Sequence, residues 1–253
     1  MAMDLRKRLR RLIGTWPAWH ELDWLLILGS LSFGVWMFVA LADEVLEGDS
    51  HAADRAILLW FRTAGDLSDP LGPGWLEEMF RDFTALGGIG VLTVATLGVV
   101  GYLLIAGKHR TGLFVLGAVG SGLALSFLLK YGFDRPRPDL VPHGSIVYTS
   151  SFPSGHSMLS ALTYLTLGAL LAWQQHRWKL KAYVFGVAVL LTLLTGVSRV
   201  YLGVHWPTDV LAGWTAGIAW ALAWWLLARV LQRRGTVDPD EEGDEAEAAE
   251  SHA

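Results

Sequence analysis

Lys130 is followed seven residues later by Arg137-Pro138; then come Pro153-Ser154-Gly155-His156, and then Ser198-Arg199 with His205 and Asp209. Each group stands at the edge of an apolar run, and together they hold three fixed cations, two imidazoles and one carboxylate. That set suits phosphoryl transfer without a metal. A phosphoryl group in transfer spreads negative charge over its equatorial oxygens, and fixed donors must meet it. Arginine offers a planar, permanently charged fork and lysine a point charge, so Lys130, Arg137 and Arg199 are the candidate phosphate ligands. Pro136 and Pro138 stiffen the backbone on both sides of Arg137. Ser154 and Gly155 stand where a helix is expected to start. The free N–H groups of such a start form an anion site, serine can cap it, and glycine lets the chain approach an oxygen closely.

His205 and Asp209 are spaced i, i+4, and Pro207 suits a first helical turn, so both share one face of a helix that begins there. The carboxylate can accept the imidazole Nδ1 proton and leave Nε2 free to attack phosphorus. His156 is then available for the opposite task, protonating the leaving oxygen and later activating water.

Blander readings exist for each residue. A membrane histidine is more often packed than catalytic, Arg199 and Lys130 could snorkel to an interface, and Asp209 could simply neutralise Arg199. Against these stands the cost of ionisable groups in a bilayer, where they commonly mark function. Asp134, Arg135 and Asp139 either position Arg137 or pair with one another, and His143, in the loop joining the first two motifs, is read as a solvated histidine. The chain has neither a Walker loop nor a His-Glu-x-x-His metal spacing.

The elements that must carry these residues are membrane helices. The chain is 53% apolar with 13 Trp, and its apolar residues are not dispersed. Uncharged runs recur at Trp24–Ala42, Leu86–Gly107, Thr111–Leu129, His156–Gln174, Ala182–Ser198 and Val210–Ala228. Each is close to the 17 to 25 residues, roughly, that cross a hydrocarbon core about 30 Å thick. The expected fold is therefore all-α, an integral membrane bundle of six transmembrane helices. The first run is too long, and lacks a small-residue cleavage site, to be a removable signal peptide. With both termini cytoplasmic, 13 of the 20 Lys and Arg fall on the inner side, as the positive-inside rule favours. All three motif segments then emerge on the outer face. The absence of cysteine excludes disulfides and thiolate chemistry.

Between the first two runs, residues 43–85 form an outer segment, expected to be partly helical. Its short apolar stretch Ala56–Phe61 and a Pro/Gly turn at Pro70–Gly74 suggest pieces that cap the site or touch lipid headgroups. Residues 1–22 are a basic cytoplasmic segment, 23–232 the membrane domain, and 233–253 an acidic tail that reads as solvated and disordered.

The three blocks resemble the signature of the type 2 phosphatidic acid phosphatase superfamily: K-x6-R-P, then P-S-G-H, then S-R-x5-H-x3-D. Lys130…Arg137-Pro138, Pro153-Ser154-Gly155-His156 and Ser198-Arg199…His205…Asp209 match it without a departure. The resemblance implies a phosphohistidine on His205, activation by Asp209, acid/base work by His156, and phosphate binding by Lys130, Arg137, Ser154, Gly155 and Arg199. It also implies no metal and no other cofactor. The substrate expected is a lipid phosphomonoester or pyrophosphate: phosphatidic acid, phosphatidylglycerophosphate or undecaprenyl pyrophosphate. The partners are that lipid and the bilayer, with no nucleic acid, and the site would face outward from the plasma membrane. Two alternatives stay open: a lipid phosphotransferase using the same histidine intermediate, and a non-catalytic lipid-phosphate binding or transport protein.

Overall fold

A computed structural model describes residues 19–139 and 150–233. The basic N-terminal segment up to residue 18, the loop containing His143 and the acidic tail from residue 234 lie outside the described residues. Eight helices and one hairpin are present among them: α1 Trp19–Glu47, α2 His51–Leu59, β1 Arg62–Thr63, β2 Asp66–Pro70, α3 Gly74–Ala85, α4 Ile89–Ile105, α5 His109–Tyr131, α6 Gly155–Trp173, α7 Trp178–Tyr201 and α8 Pro207–Arg233. The strands pair antiparallel, Thr63 opposite Asp66 and Arg62 opposite Pro70.

Five helices, α1, α5, α6, α7 and α8, are long and apolar enough to cross a membrane. The bent pair α3 and α4, joined at 50°, makes a sixth when the two are counted as one broken span. The uncharged run expected to be one helix from Leu86 breaks at Leu86-Gly87-Gly88, and its helix starts only at Ile89. Glycine weakens a helix interior by about 0.5–1 kcal/mol relative to alanine, and two in succession mark the elbow.

Helix α6 is the centre of the bundle. It packs chiefly against α7 and α8, while α1 lies against α8. Residues 157–163 of α6 are all buried by protein, whereas α1 leaves Leu25, Phe33 and Trp36 exposed. Lipid tails are as apolar as leucine, so spans must associate through close packing rather than through water exclusion. Gly213 and Gly217 of α8 supply that closeness. A Cβ on Gly213 would lie 2.6 Å from the Ser154 carbonyl oxygen, and one on Gly217 would lie 2.4 Å from that of Met158.

The segment between α1 and α4 is docked on the bundle. Leu58 of α2 is fully buried with Val200 and Val210, α3 packs along α7, and the Phe80 ring stacks on Tyr201 at 4.0 Å. Arg62 donates from Nη2 to the Tyr201 carbonyl at 2.6 Å, a cation on the C-terminal end of α7.

Candidate active site

The helices alternate in direction, so the end of α5, the start of α6, the end of α7 and the start of α8 meet at one end of the bundle. Lys130 lies in the last turn of α5 and Arg199 in the last turn of α7. After α7 the chain must turn back at once. Gly203 takes φ +71°, the Val204 and His205 amides both bond to the Arg199 carbonyl (3.1 and 3.3 Å), and four residues later α8 begins. This left-handed glycine cap sets His205 beside the Arg199 backbone. At the start of α8, Asp209 reaches back to the Trp206 amide at 2.9 Å, the carboxylate half of a capping box. The α6 start is tied to the same place, because the Ser154 amide donates to the Asp209 carbonyl at 2.9 Å.

His205 is the best-defined side chain here. It is buried, with Asp209 Oδ2 3.3 Å from Nδ1 and Arg137 Nη1 3.2 Å from Nε2. A guanidinium can only donate, so Nε2 holds the lone pair and the ring proton sits on Nδ1, facing the carboxylate. Burial pushes the imidazole down to about 3, with Arg199 and Arg137 acting in the same direction against the pull of Asp209. The ring is therefore neutral at physiological pH, which is the nucleophilic form.

The cations surround it. Arg137 also donates to the Val204 carbonyl at 3.0 Å, and burial lowers the pKa of its guanidinium. Lys130 Nζ donates to the Ser150 carbonyl at 3.0 Å, and its Cε lies 3.3 Å from where a Gly155 Cβ would be. Arg199 Nη1 donates to Thr84 Oγ1 at 2.8 Å. Neither Lys130 nor Arg199 snorkels outward. His156, half-buried at the start of α6, stands within electrostatic range of Arg199, His205, Lys130 and Arg137. Ser154 is fully buried, and its hydroxyl accepts from Ser157 Oγ at 2.9 Å and from the Ser157 amide, so its side chain caps α6. All eight residues selected from the sequence thus meet at one end of the bundle. Among the described residues, no three His, Cys, Asp or Glu side chains cluster to hold a metal ion.

Residues 111–233 match the PAP2 superfamily model. Across 184 residues the chain is 34% identical to phosphatidylglycerophosphatase B of Bacillus subtilis, covering 72% of this chain and 86% of that protein. The chain belongs to the PAP2 superfamily. A crystal structure of a transmembrane PAP2-type phosphatidylglycerolphosphate phosphatase from Bacillus subtilis superposes with a TM-score of 0.65 at 26% identity, over 82% of this chain and 98% of that one. An undecaprenyl-diphosphatase of Sulfolobus acidocaldarius is 36% identical over a shorter stretch, 41% of this chain and 44% of its own. Within the PAP2 superfamily this chain is a multi-span membrane phosphatase, a phosphoric ester hydrolase by family.

Around this PAP2 site stand residues the sequence did not single out. Arg135, expected to pair with Asp134 or Asp139 or to position Arg137, instead bonds Asp209 Oδ1 and Asp54 Oδ2, each at 2.6 Å. Asp209 is accordingly neutralised by Arg135 and not by Arg199. Ser151 Oγ donates to Asp209 Oδ2 and lies 3.3 Å from His205 Nδ1. Asp54 comes from α2, Thr84 from the end of α3 and Gly87 from the break between α3 and α4, all outside the family-matched residues. Nothing in local pattern marks them, because their partners are far away in sequence: Arg135 is 81 positions and Thr208 154 positions from Asp54, and Arg199 is 115 positions from Thr84.

Proposed function

We propose that this protein hydrolyses a lipid phosphomonoester or pyrophosphate at the outer leaflet of the plasma membrane, through a phosphohistidine on His205 and without a metal. Residues 23–232 form the catalytic unit. The observation that carries this reading is the donor arrangement about His205, in which Arg137 faces Nε2 and Asp209 faces Nδ1. A phosphate oxygen that takes over the Arg137 N–H would bring phosphorus in front of the Nε2 lone pair. An N–P bond then forms as the P–O bond to the lipid breaks, and His156 passes its proton to the departing oxygen. In the second half His156 takes a proton from water, whose oxygen attacks phosphorus and breaks the N–P bond, releasing phosphate. Lys130, Arg137 and Arg199 hold the equatorial oxygens, and the first turn of α6 at Gly155, capped by Ser154, adds its amides and dipole. Asp209 stabilises the positive ring of the intermediate.

A lipid substrate is supported by the position of the site among the ends of spanning helices, where a headgroup can enter while its tails stay in hydrocarbon. The relatives named for phosphatidylglycerophosphate and undecaprenyl diphosphate support the same class. The test is phosphate release from phosphatidic acid, phosphatidylglycerophosphate and undecaprenyl pyrophosphate in detergent with excess chelator. Release is expected to survive chelation, to be inhibited by vanadate and to vanish in His205→Asn. A strict requirement for a divalent ion, or full activity in the variant, would overturn the mechanism.

A further inference from the structure

Asp209 is held by more than its histidine. Its Oδ1 accepts from Arg135 Nη1 at 2.6 Å, and its Oδ2 accepts from the Trp206 amide at 2.9 Å and from Ser151 Oγ, while facing His205 Nδ1. Arg135 continues outward. Its Nη2 donates to Asp54 Oδ2 at 2.6 Å and Ser50 Oγ at 3.2 Å, and Nη1 donates to Thr208 Oγ1 at 2.8 Å. Asp54 in turn accepts from the Thr208 amide at 2.9 Å and the Thr208 hydroxyl at 2.6 Å, so it clasps the first turn of α8. The side chains of Arg135, Asp54 and Asp209 are 3%, 1% and 0% exposed.

We propose that Arg135 and Asp54 are positioning residues for the catalytic pair. They pin Asp209 so that Oδ2 stays on the His205 Nδ1 proton, and through Asp54 they make the segment between the first two spans a working part of the active centre. This rests on the phosphatase reading above. Arg135 falls among the six unspecified positions between Lys130 and Arg137 in the family signature, and Asp54 lies before the matched region.

The physical argument is one of charge and rotation. A carboxylate held at one oxygen only can swivel, whereas one fixed at Oδ1 by a guanidinium presents Oδ2 in a set direction. The groups facing Asp209 are His205, which is neutral, Arg135 in contact, and Lys130 and Arg137 at longer range. Arg135 lies between two buried carboxylates, and removing it would leave them facing each other across Thr208 without a counter-ion, a costly arrangement.

The test compares the full chain in detergent, with phosphatidic acid as substrate, as wild type, Asp54→Asn, Arg135→Gln, Arg135→Lys and the double variant Asp54→Asn/Arg135→Gln. A misplacement of about 1 Å, caused by a change away from the reacting atoms, can cost roughly 100-fold in rate. We expect kcat to fall by that order in Arg135→Gln, which touches Asp209 directly, and by about tenfold in Asp54→Asn, which acts one contact further out, with KM little changed in both. Arg135→Lys recovers activity only in part, since an ammonium cannot fork to two carboxylates. The double variant should exceed Arg135→Gln, because the opposing carboxylate has gone. Thermal midpoints and gel filtration report folding, and if Arg135→Gln does not fold, the kcat of Asp54→Asn decides. Wild-type kcat in Asp54→Asn, a rise in KM alone, or a double variant no better than Arg135→Gln would overturn the proposal. If wild type is active, His205→Asn is dead and Asp54→Asn behaves as wild type, only the positioning proposal fails. A wild type that releases no phosphate defeats the phosphatase reading itself.

Discussion

His205 meets two demands that usually conflict: it is 1% exposed, yet the proposed reaction needs it as a free base. Burial satisfies both, because removing water penalises the imidazolium and holds the pKa near 3 against an ordinary 6.5. The consequence for stability has a definite sign. Between about pH 6.5 and pH 3 the unfolded chain binds a proton at this position that the folded chain does not. Folding is therefore favoured fully above that window and loses this contribution as pH falls through it. Thermal midpoints in detergent should drop as the buffer is taken from pH 7 to pH 4.5, and His205→Asn should show a shallower drop than wild type. Equal slopes would mean that the ring is not held neutral by its surroundings.

The α3–α4 elbow is more than a connection between spans. Thr84 accepts from Arg199, the Leu86 carbonyl accepts from Tyr164 Oη at 2.7 Å, and Gly87 lies against His156. The elbow thus forms a wall beside His156 and Arg199. A Cβ on Gly87 would sit 2.3 Å from Thr195 Cγ2, 3.1 Å from the His156 carbonyl oxygen and 3.2 Å from His156 Cβ. Gly87→Ala is expected to destabilise the protein by about 1–3 kcal/mol through overpacking and to lower phosphate release. Thr195→Ser, which removes Cγ2, should restore part of both when combined with it. Unchanged melting and activity in Gly87→Ala would show that the elbow moves freely.

At the scale of the bundle, the alternating helices put the site-bearing ends of α5, α6, α7 and α8 on one side, together with the docked α2 and hairpin. The excess of Lys and Arg in the opposite connections supports the proposal that this side faces the exterior. Because the chain contains no cysteine, single introduced thiols report topology without background. Asp69→Cys, in the exposed β2 strand, should react with a membrane-impermeant maleimide in intact cells, whereas Lys179→Cys at the exposed start of α7 should react only after permeabilisation. The reverse pattern would move the site to the cytoplasmic leaflet.

By itself the sequence determined the spans, since apolar runs long enough for a bilayer admit few other structures, and it displayed the candidate site, since cations and imidazoles at span ends are costly and commonly functional. Lys130, Arg137, Ser154, Gly155, His156, Arg199, His205 and Asp209 were all legible in this way. Their local frames were partly legible too: Pro207 and Asp209 announce the start of α8. Only the tertiary structure decided which acid meets which base. Arg135 reaches past Asp134 and Asp139 to Asp54 and Asp209, and Thr84 reaches Arg199 across 115 positions. Ion pairs buried between elements depend on how helices cross and where a docked segment comes to rest, and neither is written in the spacing of residues along one helix.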